Sequence, residues 1–115
     1  MYPIRRVFKV DFRIIKSPSD STKEILKRRM GGSCKTDLEN ADAIGLVQGK
    51  FIDMIYAADI AEKAVGITVE DIRGLCPQHM VLIGILGDTA SVEAALNEIK
   101  LKMKEEKQYD SSKTC

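Results

Sequence analysis

The chain has 115 residues, 44% of them hydrophobic and 30% charged, which suits one globular domain with a single core. Eighteen Lys and Arg against seventeen Asp and Glu leave a net charge of +1, which argues against nucleic acid as the main partner. No apolar run reaches the roughly 18 residues of a membrane span, and Met1–Arg6 lacks a signal peptide's apolar stretch. The expectation is therefore a cytosolic chain with reduced thiols.

Residues 4–15 (IRRVFKVDFRII) place Val7, Val10, Phe12 and Ile14 among charges and read as a strand closed by Ser17-Pro18. Ser21-Thr22-Lys23-Glu24 has the form of a capping box, so a short helix is expected to run to about Met30. Arg5/Arg6/Lys9 and Lys27/Arg28/Arg29 read as solvated basic surface. Gly31-Gly32-Ser33 breaks the helix and opens a polar linker around Cys34.

Ala43–Gly49 reads as a strand. Phe51, Met54, Ile55, Ala58, Ala61 and Val65 then fall at helical spacing and predict one apolar face, with Gly66 at the helix C-cap. Strands follow over Ile67–Ile72 and Met80–Leu86, and the second, apolar on both faces, is expected inside the sheet. Asp88 or Thr89 caps a last helix that buries Val92, Ala95, Leu96, Ile99 and Met103. Beyond about Lys104 the polar string KEEKQYDSSKTC reads as a flexible tail over residues 105–115. The order strand, helix, strand, helix, strand, strand, helix predicts an α/β (α+β) sandwich, with helices on a mainly antiparallel sheet.

Cys34, Cys76 and Cys115 are too few and too scattered for a disulfide framework or an intrachain Cys-x-x-Cys knuckle. With one histidine, no nucleophile–base pair, phosphate loop or paired carboxylates stand out, and the chain reads as a non-enzyme. By residue chemistry alone, Cys76 reads either as a small apolar residue in a turn or as a metal ligand. Cys76-x-x-His79 is also half of a zinc knuckle that other subunits would have to complete. Cys34 and Cys115 read as free thiols.

From Ala43 to about Lys100 the chain resembles the bacterial microcompartment (BMC) shell domain. The resemblance is carried by AIGLVQGKF, the helix DMIYAADIAEKAVG, a strand–loop–strand, and IGILGDTASVEAALNEIK. RVFKVDFRIIKSPSDSTKEILKRR then looks like the strand, turn and helix that ordinary members carry at the C-terminus, so the chain resembles the circularly permuted subclass. The resemblance implies one permuted domain over residues 1–104, with residues 1–30 as the permuted strand and helix, 31–42 as linker and 43–104 as core. It also implies a cyclic homohexamer that tiles with other shell proteins around encapsulated enzymes in the cytoplasm. Lys63 falls on the family's hexamer-edge lysine, whereas the arginine usual before the turn proline is Ser17 here.

The loop that lines the family's axial pore reads Ile72-Arg73-Gly74-Leu75-Cys76-Pro77-Gln78-His79. Gly74, Leu75, Cys76, Pro77 and Gln78 resemble the Gly-x-Cys-Pro-Gln pore motif of permuted shell proteins associated with glycyl-radical enzymes, for which iron–sulfur binding at the pore is implied. One thiol per chain cannot hold such a cluster. Rotational symmetry gathers every copy of an axial residue at one point, and the threefold axes of a cubane favour [4Fe–4S] on the Cys76 residues of several subunits. Loop chemistry fits, because a residue before proline is held extended and Gly74 permits close backbone approach.

Overall fold

The computed structural model describes residues 10–30, 38–73 and 80–113, with side chains described as far as Lys104. Four strands, β1 (Asp11–Lys16), β2 (Ala43–Lys50), β3 (Thr68–Ile72) and β4 (Met80–Gly87), form one sheet in the order β1-β2-β4-β3. Every neighbouring pair is antiparallel, in register with Ile14 opposite Gly45, Val47 opposite Ile83 and Val69 opposite Ile85. β4 occupies an interior position, as its unbroken apolar run requires.

Side chains alternate across the pleat and divide the core into two layers. Ala43, Val47, Ile83 and Ile85 face α2 (Phe51–Glu62) and α3 (Thr89–Lys113), meeting Met54, Ala57 and Ala61 of the first and Val92, Ala95, Leu96 and Ile99 of the second. On the opposite face Ile44, Ile72 and Leu86 pack against Leu26 and Met30 of α1 (Asp20–Arg29) and its C-cap, and against Leu38 in a 3-10 turn at Leu38–Asn40.

The chain's first strand is tied to its last helix. Phe12 and Ile14 pack into the α2/α3 layer, Lys100 Nζ lies 5.1 Å from the centre of the Phe12 ring, and Lys16 Nζ sits 2.9 Å from Glu93 Oε2. Glycine permits two close approaches. A Cβ on Gly45 would meet Val92 and Leu96 at 3.1–3.2 Å, so α3 rides close over β2. A Cβ on Gly87 would lie 2.6 Å from the Gly66 carbonyl, and Gly66 itself has φ +78°.

The α1 N-cap lies two residues before the expected Ser21. Ser19, in extended conformation directly after buried Pro18, accepts a bond from the Thr22 amide at 3.2 Å. Helix α2 departs further from expectation. Phe51, Ile55 and Val65, placed by their spacing on the buried face with Met54, Ala58 and Ala61, are 61%, 57% and 91% exposed. Helix α2 instead buries Met54, Ala57 and Ala61. It is apolar on most sides, so no polar face fixes its phase, and the small Ala57 and Ala61 let it approach the sheet more closely than Phe51 or Ile55 would. Gly66 takes its positive φ in the turn that follows Lys63, the residue that caps the helix. Helix α3 buries the expected stripe and extends to Lys113, beyond the end of its apolar periodicity near Lys104.

Candidate functional site

The segment between β3 and β4 carries the Gly-Leu-Cys-Pro-Gln string that resembles a pore motif, and the chain on either side of it is fixed. Ile72 is buried and pairs with Leu82; Met80 pairs with Lys50 at the end of β2. Between them the Arg73 amide donates to the Arg29 carbonyl at 2.9 Å, and Arg29 Nη1 returns a long contact to the Arg73 carbonyl at 3.5 Å. The end of α1 thus clamps the point where the chain leaves β3. Arg29, Arg73 and Lys50, all exposed, stand at the stems, with exposed Asp71 beside them.

Gly74, Leu75, Cys76, Pro77, Gln78 and His79 lie outside the described residues, as do Cys34 and Cys115. Among the described residues no group of three or more His, Cys, Asp or Glu side chains is placed to hold a metal ion.

Lys63 is described. It caps α2, stands 75% exposed, and its Nζ lies 2.9 Å from Asp59 Oδ2, one helical turn back. Between α2 and α3 runs an open groove of about 740 Å³ lined by Tyr56, Ile60, Lys63, Ala94 and Lys102 among others. Ser17 takes φ +51°, with its amide donating to the Asp42 carbonyl at 2.9 Å.

Periodicity alone did not find one surface. Phe51, Ile52 and Ile55 are 61%, 74% and 57% exposed, and because Ile55 lies four residues after Phe51 and three after Ile52, the three make one contiguous apolar face at the start of α2. Lys50 precedes them directly, so this face lies at the same end of the sheet as the stems of the 74–79 segment.

With this geometry in hand, comparison with known proteins is decisive. The family model described as the BMC domain matches residues 43–115, from the first residue of β2 onward. The chain belongs to the BMC domain family. Among solved structures, a ligand-free GrpU microcompartment shell protein from Clostridiales bacterium 1_7_47FAA is 54% identical, with a TM-score of 0.61; the match covers 78% of this chain and 87% of that one. A ligand-free GrpU microcompartment shell protein from Pectobacterium wasabiae is 32% identical, with a TM-score of 0.63, covering 78% of this chain and 99% of that one. Comparison with curated proteins gave no match. Among the described residues of this BMC-domain chain, no helix is long and apolar enough to cross a membrane. β1 and α1 precede the part matched by the family model yet are packed into the same sheet and core.

Proposed function

We propose that this chain is a structural subunit of a bacterial microcompartment shell in the cytoplasm, a cyclic hexamer in which segment 74–79 lines the axis. Cys76 of several subunits would there hold an iron–sulfur cluster, [4Fe–4S] by symmetry. The observation that supports this reading is the clamped stem: in a BMC-domain chain whose sequence reads Gly-Leu-Cys-Pro-Gln at 74–78, Arg73 bonded to Arg29 and Met80 paired with Lys50 fix the two residues that flank 74–79 at one end of the sheet.

The donor set fits the group on chemical grounds. A single thiolate per chain is insufficient alone and sufficient in a ring. The described part of the chain offers no competing ligand group, and the cations of Arg29, Arg73 and Lys50 offset the negative charge that thiolates and sulfide would bring. Such a cluster, when bound, supplies one-electron redox chemistry or serves as cargo for passage across the shell. The chain's own contribution is to gather the thiols, to hold their loop at fixed stems and to supply positive charge around it.

Circular permutation is supported by the link between chain ends. β1 lies against α3 through the Lys16–Glu93 pair and the Lys100–Phe12 contact, so a strand encoded before the matched region occupies a place reachable from the last helix. Lys63 stands clear of the core, with a stem free to pack across an edge against a neighbouring hexamer or another shell protein. Encapsulated enzymes would lie behind the layer so formed.

The test is iron and sulfide analysis of protein purified without oxygen, beside its Cys76→Ser variant. The expected result is iron and sulfide in stoichiometric amounts in the parent ring, and an intact, iron-free ring for the variant. A ring that stays colourless and iron-free after anaerobic reconstitution overturns the cluster and leaves a plain tile with a metabolite pore.

A further inference from the structure

We draw no further inference here: the strongest candidate, the exposed apolar face of Phe51, Ile52 and Ile55 at the start of α2, carries nothing because nothing in the structure shows what covers it.

Discussion

Helices α2 and α3 lie side by side on one face of the sheet, yet they use their apolar residues differently. Helix α3 turns Val92, Ala95, Leu96 and Ile99 wholly inward, and all four are buried. Helix α2 buries Met54, Ala57 and Ala61, two of them alanines, and leaves Phe51, Ile52 and Ile55 outside. The large exposed apolar groups of α2 therefore gather at its start, whereas the large apolar groups of α3, Leu101 apart, serve the core. An amphipathic helix has one apolar face for one core; a helix with a second apolar face has a second surface to satisfy. The difference separates the side chains that the subunit's core uses from those it leaves outside.

The widest separation is expected from a pair of truncations. Ile99→Ala removes a fully buried side chain from α3 and is expected to lower stability by about 2–5 kcal/mol. Ile55→Ala on the outer face of α2 is expected to change subunit stability by no more than about 0.5 kcal/mol. Urea titration at matched protein concentrations reads both values. Similar losses for the two would erase the distinction between the helices.

A smaller effect sharpens the α3 side. Gly45→Ala places a methyl 3.1–3.2 Å from Val92 and Leu96, where α3 rides closest to β2. The crowding is expected to cost about 1–3 kcal/mol, read as a lowered Tm. No equivalent crowding is expected from Ile52→Leu, whose side chain stands in solvent in the isolated subunit.

Least of all, Lys63→Ala removes an exposed pair with Asp59. For groups this open to water the effect on subunit stability is expected to stay within a few tenths of a kcal/mol. If Lys63 packs across an edge as proposed, sheets or tubes seen by electron microscopy at high protein concentration are expected to diminish on its replacement, while the mass of the discrete particle is unchanged. Undiminished sheets would remove Lys63 from the edge.

The same two helices show how far the sequence could be read. α3 was legible because charged residues such as Glu93, Lys100 and Lys102 alternate with its apolar stripe and fix the phase, and β4 was legible because a strand apolar on both sides must be covered on both. The element order and antiparallel sheet followed from those signals and from the turns between them. Helix α2 was not legible in detail, because Ile, Phe and Ala surround most of its circumference and hydrophobicity alone cannot tell the core face from an exposed apolar one. The choice fell to side-chain size, with alanine permitting the close approach to the sheet. At the α1 start, Ser-x-x-Glu at Ser21–Glu24 matched a capping pattern, but Ser19, placed immediately after Pro18, reaches the Thr22 amide first.

For the candidate site, the motif Gly74–Gln78 was visible as residue types, and Lys63 as a position. What sequence did not reveal was the clamp between Arg29 and Arg73, which joins residues 44 positions apart and so leaves no local signature. The apolar face beside it was hidden for the same reason that α2 was misphased.

Native mass spectrometry of the parent chain, purified and kept without oxygen, bears most directly on the central claim that one thiol per copy is collected around a rotation axis. The account predicts a species of six chains carrying the added mass of a single iron–sulfur cluster, which Cys76→Ser converts to six chains alone. A lone 12.8 kDa chain, or iron retained in full after Cys76 is replaced, would contradict it.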